Sequence, residues 1–86
     1  ANSKSAAKRA RQNEKRTIRN TAVRSQVKSA VRSFQEALST GDSEQAKTTL
    51  ATATRLIRKA HSRGVIHSAT ASRRVSRLVL AFNKMQ

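Results

Sequence analysis

The sequence has no cysteine, proline, tryptophan or tyrosine, and it has only two glycines, two phenylalanines and four acidic residues among 86. Without Cys there can be no disulfide and no thiolate zinc site, and two isolated histidines, His61 and His67, cannot build a metal cage. A chain this short is one domain at most, and it buries too small a share of its surface to be comfortably stable alone. With the usual staples missing, stabilisation is expected from a partner. Zero Cys fits a reducing compartment. No apolar run approaches the roughly 18 residues of a membrane span, and no apolar core of about 7 to 15 residues follows the basic start as in a signal peptide. A soluble, intracellular protein is expected. Four scattered acids, with no Gly-rich phosphate loop and no nucleophile paired to a base, give catalysis nothing to work with. No enzyme, cofactor, metal or small-molecule substrate is expected.

What is abundant is positive charge. Nineteen Lys and Arg give a formal net charge of +15 and a pI near 12.0. Self-repulsion of that size opposes compaction unless a polyanion neutralises it. Nucleic acid or an anionic membrane surface would do so.

Gly41 and Gly64 divide the chain into three long segments, and that spacing predicts three helices, at about 3–39, 43–62 and 68–85. Gly41 is placed as a left-handed helix terminator, with Asp42 as the next N-cap and Gln45 completing a capping box. Gly64 repeats the logic, with His67 or Ser68 as the following cap. Apolar residues recur three or four apart in each segment: Val23, Val27, Ala30, Val31, Phe34, Ala37 and Leu38; then Ala46, Leu50, Ala53, Ile57 and Ala60; then Ala71, Val75, Leu78, Val79 and Phe82. Three stripes and short breaks predict a single all-α domain over 1–86, an antiparallel three-helix bundle.

The first helix is too long for its neighbours. At 1.5 Å per residue it spans on the order of 55 Å against about 30 Å for the second, so roughly half of it has nothing to pack on. Extending its core-facing direction toward the N-terminus meets Asn20, Arg16, Asn13 and Arg9, while Lys4, Lys8, Arg11, Lys15 and Arg19 line a second stripe. Like charges at i,i+4 repel, so this is not the alternating pattern of an ordinary solvated helix. Arg and Lys at helical repeats suit phosphate oxygens instead. Alone in water the N-terminal turns are expected to fray, ordering when phosphate arrives.

Phe34 and Phe82 both lie on apolar stripes, which leaves no aromatic platform for stacking single-stranded bases. Phosphate and shape readout of a structured duplex or junction remains. Further cations on the second and third segments, among them Arg55, Arg58, Lys59, Arg63, Arg73, Arg74 and Arg77, predict a second basic patch where the second break joins them. His67 is expected to cap or pack the turn, and His61 to be exposed.

The opening ANSKSAAKRARQNEKRTIRN and the stretch RGVIHSATASRRVSRL, Arg63 to Leu78, together resemble the bacterial-type small-subunit ribosomal protein number twenty family. The resemblance covers essentially the whole chain. It implies a three-helix bundle with an extended first helix, bound as a monomer to 16S ribosomal RNA, with an early-assembly role in holding RNA helices of the 5′ domain together. The RNA contacts it implies are Lys4, Lys8, Arg9, Arg11, Lys15, Arg16 and Arg19 in the opening and His67, Arg73, Arg74 and Arg77 in the second stretch; the further cations Arg24, Lys28 and Arg63 are candidate RNA-binding residues beside them. The sequence departs from the family pattern at Ser68, Ala69, Ser72 and Val75, and two of these departures remove cations. A bacterial cytoplasm and an organelle with bacterial-type ribosomes are both open, and a start at Ala1 fits a removed initiator Met or a processed transit peptide.

Two other classes compete. An architectural DNA-binding protein would use the same backbone neutralisation, but it would be favoured by a dimer-forming apolar face or a minor-groove wedge, neither of which is visible. A membrane-surface helix needs bulky apolar residues opposite the charges, and the opening offers mainly Ala6, Ala7, Ala10 and Ile18.

Overall fold

The computed structural model describes the backbone of residues 2–86 and the side chains of residues 4–86. It contains three helices, α1 (Asn2–Thr40), α2 (Ser43–Ser62) and α3 (Ser68–Met85), and no strand among the described residues. The fold is all-α.

Both connections are built by glycine. At the end of α1 the Gly41 N–H donates to the Leu38 carbonyl (3.2 Å) and the Asp42 N–H to the Ala37 carbonyl (3.3 Å), with Gly41 at φ 75°. At the end of α2 the Gly64 N–H donates to His61 and the Val65 N–H to Ala60, both at 2.9 Å, with Gly64 at φ 76°. These are paired Schellman closures, which need a left-handed residue that only glycine supplies without steric cost. The next helix starts at once. Asp42 caps α2 by accepting the Gln45 N–H on Oδ1 at 3.0 Å, and Glu44 adds an acid to the first turn. The capping box expected at Asp42 and Gln45 is only half formed, because the Asp42 N–H is already committed to Ala37.

The α1–α2 seam has a heptad rhythm. Val23, Val27, Ala30, Phe34 and Ala37 on α1 are spaced 4, 3, 4, 3, as are Ala46, Leu50, Ala53, Ile57 and Ala60 on α2. All are buried except Leu50, which is half-buried. Such spacing keeps one stripe facing a partner along its whole length. The five alanines let the backbones approach closely. Phe34 is the largest fully buried side chain, at 0% exposure.

α2 lies in the middle, packed extensively on α1 and on α3, while α1 and α3 barely meet. Gln86 at the end of α3 donates to the Ser43 hydroxyl at the start of α2 (3.3 Å), so those two helices run antiparallel. Because α3 has essentially one neighbour, its buried arc is narrow: Ala71 and Leu78 are buried, Val75 and Phe82 only half so. Val79, expected in the core stripe, is instead 39% exposed for this reason. The connection between α2 and α3 contributes core residues of its own, Val65 and Ile66.

The resulting shape is a rod of 63 × 22 × 13 Å. α1 supplies the excess length.

Candidate nucleic-acid interface

Every side chain from Lys4 to Arg19 is exposed; Asn20 is half-buried and Val23 is the first to be buried. This stretch, the overhang, carries seven cations, Lys4, Lys8, Arg9, Arg11, Lys15, Arg16 and Arg19, against one acid, Glu14. At about 100° per residue, Lys4, Lys8, Arg11, Lys15 and Arg19 fall within an arc of about 80°. Arg9 and Arg16 instead continue the heptad stripe that faces the core further along. Ile18, 64% exposed, borders the first arc. The overhang is cationic on two sides.

Past Val23 the cations change flank. Arg24, Lys28 and Arg32, spaced four apart, occupy an arc centred about 140° from the first. They lie on the side of α1 that faces α3. There Lys28, Val31, Arg32 and Gln35 of α1 and Arg74, Arg77 and Leu78 of α3 line an open groove of about 490 Å³. Val31 and Leu78 form its apolar part. No carboxylate is among its lining residues.

The basic corner expected at the second break divides in the structure. Arg74 and Arg77 turn toward α1, whereas Arg58 lines a separate hollow of about 370 Å³ with His61, Ser68, Ser72 and Ser76, on the opposite flank of α3. Arg63 and Arg73 are exposed at and beside the connection. His67 caps α3, its Nδ1 accepting the Ala69 N–H at 3.2 Å. An imidazole that accepts on Nδ1 carries its proton on Nε2, so the capping ring keeps an N–H donor on its far side. His61 is exposed but not idle: its Nδ1 lies 3.1 Å from the Ile66 carbonyl, which can only accept, so Nδ1 is the protonated nitrogen.

All fourteen residues singled out from the sequence are exposed. The structure brings Lys28, Arg74 and Arg77 together and leaves the overhang residues on their own segment. Two groove residues escaped the sequence reading, Arg32 and Gln35. The signal for Arg32 was present in its i+4 spacing from Arg24 and Lys28; Gln35 carries none. The acids are segregated. Apart from Glu14 they stand near the α1–α2 turn, as Glu36, Asp42 and Glu44. Among the described residues no group of His, Cys, Asp or Glu could hold a metal ion, and no helix is long and apolar enough to cross a membrane.

Residues 1–83 match the family model described as "Ribosomal protein S20". Similar curated proteins span the same length. A protein of Syntrophotalea carbinolica is 51% identical over 83 residues, covering 96% of this chain and 95% of its own. One from Pelotomaculum thermopropionicum is 48% identical over 84 residues, covering 98% and 96%. One from Mycolicibacterium smegmatis is 45% identical over 85 residues, covering 99% of both. Each is named "Small ribosomal subunit protein bS20".

Proposed function

The chain belongs to the ribosomal protein S20 family, and from that premise we propose that it binds 16S ribosomal RNA directly through phosphate and shape readout. As a member of that family it is a structural constituent of the small ribosomal subunit, not an enzyme. In the proposed mechanism it acts as one domain and as a monomer within the ribonucleoprotein. It neutralises phosphates on adjacent RNA helices so that they can pack during assembly of the 5′ domain.

The observation that carries this is the overhang. A helix held out from its bundle, with every side chain exposed and seven cations on two sides, has no packing role in the free protein. Phosphates give those cations partners, and each contact releases counterions. The contacts proposed there are Lys4, Lys8, Arg9, Arg11, Lys15, Arg16 and Arg19. Arg24, Lys28, Arg63, His67, Arg73, Arg74 and Arg77 extend the interface over the bundle. If about 8 to 12 cations engage, affinity falls with salt at a log-log slope on the order of −6 to −10.

The test is a competition titration against folded small-subunit ribosomal RNA, with excess duplex DNA and unrelated structured RNA, at two salt concentrations. Binding that survives both competitors supports recognition of a particular RNA shape. Equal competition by DNA would reduce the protein to a nonspecific polycation.

A further inference from the structure

We propose that the groove between α1 and α3 seats a single ribose–phosphate strand, belonging to an RNA segment other than the one along the overhang. This rests on the ribosomal RNA-binding function proposed above and adds to it a second site with its own occupant.

The first support is direction. The overhang track and the Arg24, Lys28, Arg32 track occupy arcs centred about 140° apart on one helix. A stiff helix cannot present both to the same side of one duplex, so the change of flank at Val23 separates two surfaces that composition alone would merge.

The second support is the lining. Lys28 and Arg32 stand on one wall and Arg74 and Arg77 on the other, and none of the lining residues is a carboxylate; Glu36 lies one turn beyond Arg32, outside the lining. Like charges facing each other across a groove raise the energy of the folded state unless an anion lies between them. A phosphate backbone is such an anion, and guanidinium groups approaching from two helices can each offer paired N–H donors to its oxygens. The apolar patch of Val31 and Leu78 gives the carbon face of a sugar something to pack on. Gln35, the one neutral hydrogen-bonding side chain of the lining, can donate to and accept from a ribose hydroxyl. By contrast, the Arg58 hollow on the other flank has a single Arg and no second cationic wall.

The experiment is hydroxyl-radical footprinting of folded small-subunit ribosomal RNA at saturating protein. It compares the wild-type chain, a groove variant (Lys28→Gln, Arg32→Gln, Arg74→Gln, Arg77→Gln) and an overhang variant (Lys8→Gln, Arg11→Gln, Lys15→Gln). Circular dichroism establishes that the variants, which keep helix propensity, are folded. The proposal expects each variant to lose protection over a different RNA tract and keep the other's. It also expects the groove variant's salt slope to be shallower by about three units. A groove variant that keeps every protected tract overturns the proposal while leaving the overhang reading intact. Loss of one and the same tract in both variants overturns it too, since one continuous track would then be at work. Failure of the wild-type chain to protect any tract would instead bring down the RNA-binding function itself.

Discussion

The two halves of α1 share one helix and one heptad frame, yet they do opposite things. From Val23 onward the frame reads Val23, Val27, Ala30, Phe34, Ala37, and every one of these is buried. Backward from Val23 the same 3, 4, 3, 4 spacing reads Asn20, Arg16, Asn13, Arg9, and only Asn20 is even half-buried. The backbone does not distinguish the halves; the side chains at the seam do. An apolar seam zips to α2, and a polar one in the same register leaves the helix projecting into solvent, with its cations unneutralised by any second helix.

That contrast can be broken most forcefully from the body side. Phe34→Ala should lower stability by about 3 to 5 kcal/mol, read from urea or thermal unfolding, because the ring is fully buried at the centre of the seam. A loss under about 1 kcal/mol would mean that the seam collapses around the gap.

Next in size is the turn geometry that sends α3 back along α2. Gly64→Ala places a Cβ where nothing lies within 4 Å, so its cost is confined to the positive φ. That amounts to about 1 to 2 kcal/mol. Gly64→Asn should cost less, and equal losses for the two would point to something other than backbone strain.

Loss of the imidazole cap in His67→Ala should cost about 1 kcal/mol, by analogy with other N-cap side chains. His67→Asn restores an acceptor for the Ala69 N–H and should recover stability. If the outer N–H of His67 meets RNA as proposed, Asn will not recover full RNA affinity, and a variant that recovered both would assign His67 to the cap alone.

The smallest stability effect belongs to the overhang. Replacing Lys8, Arg11 and Lys15 with Gln should leave the unfolding midpoint within about 0.5 kcal/mol of wild type. The salt slope of RNA binding should flatten by about two to three units. A stability loss comparable to that of Gly64→Ala would show the overhang to be part of the bundle after all.

Much of this was legible in the sequence because it depends on local rules. Two glycines in a proline-free chain marked the turns, and the point at which the α1 stripe changes from Val to Asn and Arg marked where packing ends. What was hidden depends on which helices touch. Val65 and Ile66 lie in a turn, where no periodicity announces a core residue, yet the second Schellman closure folds them inward. Val79 sits on a plausible stripe but outside the narrow arc that a helix with one main neighbour can bury. Arg32 and Gln35 acquire a shared surface with Arg74 and Arg77 only once α3 is laid alongside α1, at a separation of some forty residues. His61 looked like a bare surface residue, and its bond to the Ile66 carbonyl exists only because the turn closes as it does.

The segregation of the acids gives the molecule a sense of direction before it touches anything. Glu36, Asp42 and Glu44 near one end of a 63 Å rod, and the seven cations of the overhang at the other, make an electric dipole along the long axis. In the field of a polyanion that dipole experiences a torque as well as an attraction, so the rod swings its bare end forward during approach. The field reaches about 8 Å at physiological ionic strength and about 30 Å at 0.01 M. Salt therefore shortens the distance over which the rod can turn, and the fraction of encounters that begin with the correct end should fall along with the strength of the final grip.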